Sequence, residues 1–486
     1  RAYRIAARAY DGSGNLSASY STRTFTYDVY DNGGADPNLE RPTSTVTLPT
    51  SGGFFNSATI NGTARDNTLG GIDQVQYAIR RESDGFYWDN LSGVFAAAFT
   101  YNNVLPANIS PLNGTPVTWS ATFADSSQFQ DGVAYKVWAK ANDLVAPLPG
   151  NEEAIFSTNT FTWDVGAPTA AITIPAGGGF PPTGRLAPGT VLYGGYGDAV
   201  SGVSSTTANS VEFILWNKTD NRYWDGASFL PPGSAQPSNL PDAAVWASSW
   251  TVATSGMSLG SFEGKDFLFV IRAKDRAGNL QTDFAVGTAS NSFTVDASPP
   301  ISNVTTPASA YRNVLAAVSG TSSDLSLAPS GSGDVQISSA SGASYWSGYS
   351  SSWIVSSTFT PFTSLNLVVG DWSYTVPAGQ FSNGVAYTIT PRLQDSLGNQ
   401  GSGTARSFTW DTAAPVTTIA SHGDGQSYPA ISSLSGLASD PDPDGVGPQT
   451  ASLVGAVDIF FKEDDGSAGG GGLYWDPTGI CAGGAG

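Results

Sequence analysis

Three short blocks recur along this chain in one order and at nearly one period, and that repetition constrains the fold more than any other feature. The first block runs aromatic, alternating strand, then Asp: Ala2-Tyr3-Arg4-Ile5 to Asp11, Ala134-Tyr135-Lys136-Val137 to Asp143, Asp266-Phe267-Leu268-Phe269 to Asp275, and Ala386-Tyr387-Thr388-Ile389 to Asp395. The closing aspartates stand 132, 132 and 120 residues apart. The second block reads Thr-Phe-Thr-Tyr-Asp at 24–28, Thr-Phe-Thr-Trp-Asp at 160–164, Ser-Phe-Thr-Val-Asp at 292–296 and Ser-Phe-Thr-Trp-Asp at 407–411. The third is Tyr-Trp at 87–88, 223–224, 345–346 and 474–475, followed by Asp89, Asp225, Ser347 and Asp476. A proline follows the last three copies of the second block, at Pro168, Pro299 and Pro415. Cutting there gives whole repeats 43–168, 169–300 and 301–415, between the closing part of a repeat at 1–42 and the opening part of one at 416–486. A piece of something longer is the expectation.

Inside a repeat the pattern is period-2 alternation interrupted by Gly, Pro, Asn and Ser clusters, with no helical stripe. Candidate strands in the first whole repeat are 44–49, 57–65, 73–81, 86–88, 116–123, 133–142 and 160–164. Along 133–142, Val133, Tyr135, Val137, Ala139 and Ala141 point to one side, and Lys136, Trp138 and Lys140 to the other. The expected class is all-β: a tandem array of seven-stranded β-sandwich domains. Gly (57) and Pro (30) supply the turns such an architecture needs. Pro391, at an inward position of its strand, predicts a bulge or a local end of pairing.

The residues Ala-Tyr-x-hydrophobic, Ala273-Lys274-Asp275-Arg276-Ala277-Gly278-Asn279 and Phe293-Thr294-Val295-Asp296-Ala297-Ser298-Pro299 make the chain resemble the tandem immunoglobulin-like and fibronectin type III-like repeats of large bacterial surface and secreted proteins. The resemblance covers essentially the whole chain. It implies immunoglobulin-like sandwiches outside the cell, of the kind found in adhesins and beside secreted polysaccharide-active enzymes. Two departures stand out: there is no cysteine pair across the sandwich, and Phe267 replaces the tyrosine that makes a corner hydrogen bond.

Composition removes several function classes. A net charge of −19 opposes phosphate backbones and anionic headgroups, so neither nucleic acid nor a membrane surface is an expected partner. No apolar run is long enough to insert in a bilayer. One histidine (His422) and one cysteine (Cys481) leave no catalytic constellation, so the chain reads as a non-enzyme.

Two sets of candidate site residues remain. Asp440, Asp442 and Asp444 alternate ahead of Gly445, as hard oxygen ligands do in the first half of a calcium loop, and read either as a loose calcium site or as a solvated acidic loop. The carboxylate of an EF-hand's second half is missing, since Ala451 stands at its place. Equivalent loops keep Asp66 with Asp73, Asp198 and Asp324, which implies a site particular to one repeat. The junction from Asp28 to Pro42, with Asp28, Asp31, Asp36 and Glu40, offers a second acidic stretch, readable as a calcium clamp between domains or as an acidic flexible linker. The Asp-x-x-Gly-Asn segments at 11–15, 275–279 and 395–399 read most simply as turns and otherwise as oxygen ligands. Tyr87, Trp88, Tyr223 and Trp224 are candidates for stacking on glycans, or for filling the space between sheets.

Three functions fit this inventory. The first is an extracellular structural and adhesive array forming a stalk or fibre on the cell surface. The second is a set of carbohydrate-binding or spacer modules of a larger secreted enzyme. The third is a filament subunit whose copies complete one another by strand exchange. The implied partners are neighbouring repeats or copies of the chain, and surface glycans; the implied cofactor is calcium.

Overall fold

The computed structural model describes residues 2–26, 41–66, 71–144, 151–154, 156–180, 182–203, 210–231, 243–246, 248–324, 332–339, 344–366, 370–440, 454–459, 461–462 and 474–475. Contacts group the chain into two units, residues 1–259 with 265–295, and 260–264 with 296–486; each is described by itself. Regular structure among the described residues is strand, with a few three-residue 3-10 turns. None of their helices is long and apolar enough to cross a membrane.

The first whole sandwich shows how alternation becomes a core. One sheet orders its strands Ile109–Ser110, Val117–Thr122, Thr59–Arg65 and Thr43–Leu48. The other runs Gly53–Phe55, Ser157–Trp163, Ala134–Asp143, Ile72–Arg81, Tyr87–Asp89 and Val94–Ala96, with Asn102–Asn103 beside Ile72–Arg81. Every pairing in it is antiparallel except Gly53–Phe55 on Ser157–Trp163. Tyr135, Val137, Ala139 and Ala141 are fully buried, as alternation predicts, and pack in one cluster with Ile60 and Trp119 of the facing sheet. The same pair of sheets recurs over residues 169–295 and 301–410. All seven sequence-read strands have counterparts, but the sandwich holds more than seven. Gly53–Phe55, Val94–Ala96, Asn102–Asn103 and Ile109–Ser110 are extra. Two or three residues are too few to display a period of two, so those strands leave no alternation to read.

A glycine opposite a tryptophan sets the sheet spacing in each sandwich. Gly62 pairs with Trp119, Gly194 with Trp250 and Gly320 with Trp372. A Cβ on any of these glycines would overlap the tryptophan ring and a carbonyl oxygen of the first strand, that of Thr45, Ala171 or Asn303. Each tryptophan is fully buried and donates its Nε1–H to an oxygen, for Trp119 the Thr63 carbonyl at 3.3 Å and for Trp372 the Ser302 hydroxyl at 3.0 Å. The glycine stands four residues before an aspartate each time: Asp66, Asp198 and Asp324.

Smaller expectations resolve in the same frame. The Tyr135 hydroxyl accepts from the Gln130 amide at 2.8 Å and that of Tyr387 from Ser382 at 2.9 Å; Phe267 has no hydroxyl to do so. Pro391 stays in register with Val335 on one side, while on the other side pairing stops at Ile389 and resumes with a different strand at Arg392. The hairpin Ala2–Ala7 with Ser21–Thr26, the pair Val416–Ile419 with Gly436–Ser439 and the pair Phe461–Lys462 with Tyr474–Trp475 are the described strands of the flanking part-repeats.

One buried acid links the first strand to the sixth. Glu153 accepts from the Ser44 amide at 2.9 Å and the Ala141 amide at 3.0 Å. In the second sandwich Gln281 does this work, accepting from Ala170 and Ala273 at 3.0 and 3.1 Å. Burial raises the Glu153 carboxyl above its ordinary 4.5, so the folded chain holds that proton more tightly than the unfolded chain. Its contribution to stability is therefore full below the unfolded value and declines as pH rises through the folded one. Glu153→Gln, borrowing the Gln281 arrangement, is expected to flatten that decline in pH-dependent denaturation curves. An unchanged slope would assign the titration to another group.

Candidate metal centre

Aspartates at strand ends, two of the three in each set closing a repeated block, are far apart in sequence and meet in space. Asp164 ends the Ser157–Trp163 strand of the first sandwich; Asp198 follows Leu192–Gly197 and Asp275 follows the Asp266–Ala273 strand of the second. Their carboxylates converge, with one oxygen from each lying within 4.8 Å of the others. Asp296, Asp324 and Asp395 repeat the arrangement at the equivalent positions one period on. Asp164 and Asp296 are fully buried, Asp275 and Asp395 nearly so, and Asp198 and Asp324 half-buried.

Local turns hold each carboxylate in place. Asp198 Oδ1 accepts from the amides of Val200, Ser201 and Gly202 at 2.9, 2.8 and 3.1 Å and from the Ser201 hydroxyl at 3.3 Å. Asp275 Oδ1 takes the amides of Gly278 and Asn279 at 2.7 and 2.8 Å, and Gly278 adopts a positive φ of 96° that this tight loop requires. Asn279 then reaches across with Nδ2, donating to Asp275 Oδ2 at 2.8 Å and to the Asp164 carbonyl at 2.9 Å. Asn399 makes the same two bonds, to Asp395 Oδ2 at 2.8 Å and to the Asp296 carbonyl at 3.3 Å. The Asp-x-x-Gly-Asn segments are thus turns, and those at 275–279 and 395–399 also aim a carboxylate at a cluster.

Electrostatics make the first cluster costly without a cation. Burial, together with the charges of Asp198 and Asp275, raises the Asp164 carboxyl above its usual range against the hydrogen bond from Ser201. Among the described residues no ion pair joins Asp164, Asp198 or Asp275 to a lysine or arginine. Two oxygens bound at about 2.4 Å to one calcium ion lie at most about 4.8 Å apart, and the three carboxylate oxygens stay within that limit. A donor set of carboxylates alone, without histidine or cysteine, suits a hard cation.

The other predicted site residues fall differently. Asp440 follows the strand Gly436–Ser439 as Asp198 and Asp324 follow theirs, while Asp442 and Asp444 lie outside the described residues. Asp28, Asp31, Asp36 and Glu40 of the acidic junction lie outside them as well. Asp143 is buried, with Asn151 donating to its two oxygens at 2.6 and 2.7 Å, and Asp66 stands at the end of Thr59–Arg65. Beside the expectation of a site particular to one repeat stands a cluster that occurs twice: Asp164, which closes a second block, and Asp275, which closes a first block, join the Asp198 loop. Sequence reading also missed a support for the junction. Asp131, Glu263 and Asn383, each three residues before a strand, accept from the amides of Val165, Ala297 and Thr412 at 2.8, 2.6 and 2.6 Å.

Of the glycan candidates, alternation sends the two rings of each pair to opposite faces. Trp88 is fully buried against Phe95, Phe123 and Phe129, so it has no face to offer a sugar. Trp224 is half-buried against Phe229, and Tyr87 and Tyr223 are half-buried on the outer side. Trp88→Ala is expected to cost the first sandwich about 3 to 5 kcal/mol, and Tyr87→Ala far less. Equal losses in thermal unfolding would contradict this placement.

No protein-family model matches the chain, and no curated protein does. Solved structures similar to it include a tetra-tandem repeat in the extending region of a large adhesion protein, at 16% identity over 84% of this chain and 81% of that one, with a TM-score of 0.24. The protocadherin gammaB7 EC3-6 cis-dimer matches at 15% identity over 84% of each chain, with a TM-score of 0.21. Drosophila N-cadherin EC1-4 matches at 9% identity over 85% and 83%, with a TM-score of 0.19. By its own strand pairing and paired sheets, the chain is an all-β tandem array of immunoglobulin-like sandwiches.

Proposed function

We propose that this chain is a length of an extracellular structural and adhesive repeat array, non-enzymatic, with sandwiches over 43–168, 169–300 and 301–415, in which calcium at the clusters around Asp164 and Asp296 stiffens a stalk or fibre on a cell surface. The observation that carries the reading is the recurrence, one period apart, of three converging carboxylates drawn from three different elements. A cation bound by Asp164, Asp198 and Asp275 ties the last strand of one sandwich to two loops of the next. It would turn a short Pro-containing joint into a stiff one, because Pro168 already restricts the backbone there. The partners on this reading are neighbouring repeats or other copies of the chain.

The test is small-angle scattering of the full chain in calcium and after chelation, paired with calorimetry. The reading expects a long maximal dimension in calcium, greater flexibility in chelator and a lower unfolding midpoint. Scattering and melting both indifferent to chelation would remove the metal, and a compact particle in both conditions would remove the stalk.

A further inference from the structure

The larger sheet of the first whole sandwich carries an aromatic patch on its outer face that neither the core nor the aspartate cluster uses. Trp138 points outward from the Ala134–Asp143 strand, with the Lys136 Nζ 5.1 Å and the Arg80 Cζ 5.8 Å from its ring centroid. The Tyr87 ring lies 6.3 Å from Trp138 and 4.8 Å from Phe99, which is 54% exposed; Tyr101 continues the run 4.7 Å further on. Arg80 is held by Glu82 in a two-bond pair, whereas among the described residues Lys136 joins no ion pair.

The second sandwich builds the same combination from other positions. Trp216 stacks on Tyr223 at 5.2 Å and 10°, and the Lys218 Nζ sits 5.1 Å from Trp216 and 3.9 Å from Phe180, itself 51% exposed. Lys218 likewise joins no ion pair among the described residues. The third sandwich dispenses with it. Ser338 stands opposite Tyr345 where Trp216 stands opposite Tyr223, and Thr388 and Thr390 take the places of Lys136 and Trp138. A sandwich of this kind therefore folds without the patch, so packing does not explain it.

We infer that these outer faces bind an acidic polysaccharide, its pyranose rings stacking on Trp138 and Trp216 and its anionic groups meeting Lys136 and Lys218. Indole faces favour the C–H side of a sugar ring, and a lysine without a carboxylate partner favours a carboxylate or sulfate. The net charge of −19 does not forbid this, because charge is screened beyond about 8 Å at physiological ionic strength and the local lysine decides. The inference names the ligand for the adhesive half of the proposed function and rests on that reading, while standing apart from its metal.

The experiment is affinity electrophoresis of the full chain through gels containing polygalacturonate, dextran sulfate or neutral dextran, run in chelator so that calcium bridging cannot mimic binding. Retardation by an acidic polymer is expected, weakened tenfold or more by Trp138→Ala together with Trp216→Ala, and weakened by added salt and by Lys136→Gln. Polygalacturonate against dextran sulfate separates carboxylate from sulfate recognition. Equal retardation by neutral dextran would overturn the acidic class. Retardation indifferent to the tryptophan and lysine variants, or none in any gel, would overturn the site. Calorimetry confirms that each variant remains folded, and Lys136→Gln, a surface change, keeps the test open if a tryptophan variant does not. Failure here leaves calcium-dependent melting untouched, so the two readings fall separately.

Discussion

Gly194→Ala is expected to destabilise the second sandwich by about 3 kcal/mol or more, at the upper end of overpacking costs. The added methyl would overlap both the Ala171 carbonyl oxygen and the Trp250 ring. Backbone cannot retreat without breaking the pairing of Thr169–Ile174 on Leu192–Gly197, and Trp250 is fully buried with its Nε1 donating to the carbonyls of Ala171 and Gly195, both at 3.2 Å. The neighbouring Gly195 supplies the control. Its added methyl would meet only the Ser248 carbonyl oxygen at 3.6 Å, an ordinary contact. Gly195→Ala is therefore expected to be neutral, or stabilising by up to about 1 kcal/mol through the unfolded state. Calorimetry of the full chain should show one transition falling by roughly 10 °C for the first variant and none for the second. Similar behaviour of the two would mean that the glycine-tryptophan contact is not what fixes the sheet spacing.

The second large effect is the loss of calcium stabilisation on Asp198→Asn. All four hydrogen bonds to this side chain fall on Oδ1, and an asparagine oxygen can keep them. The substitution then replaces only Oδ2 and the charge, which separates ligation from loop structure. Calcium at about a thousand times its dissociation constant would stabilise the native chain by about 4 kcal/mol per site. The variant is expected to melt like the native chain in chelator and to lose one site's share of the rise when calcium is added, with one fewer ion bound in a titration. If the variant keeps the full calcium response, the cluster around Asp164 is not the metal site. If it melts lower even in chelator, the loop matters for itself.

Much of the array was legible in the chain. The period, the alternation from Tyr135 to Ala141 and the turn chemistry of Asp275 to Asn279 are local signals, read by spacing alone. Short strands such as Gly53–Phe55 were not, since three residues carry no periodicity and are placed by a parallel neighbour about a hundred residues away. The candidate site was legible only in pieces. Asp164, Asp198 and Asp275 each stand out at the end of a strand, yet nothing in the spacing of 34 and 77 residues announces that they meet. The Gly-x-x-x-Asp spacing at Gly62, Gly194, Gly320 and Gly436 was a signal available in the sequence, and it places the sheet contact and the carboxylate on one strand.

What the sequence determined by itself is the class and the repeat, because alternation and turn residues act over a few positions and the same blocks return every 115 to 136 residues. What only the tertiary structure decided is company: that the three aspartates share one small volume, that Trp88 turns inward while Tyr87 and Trp138 turn outward, and that a lysine sits beside an outward indole. Those outcomes depend on which strands become neighbours across a sandwich. That choice is made by burying the core as a whole, not by any single stretch of chain.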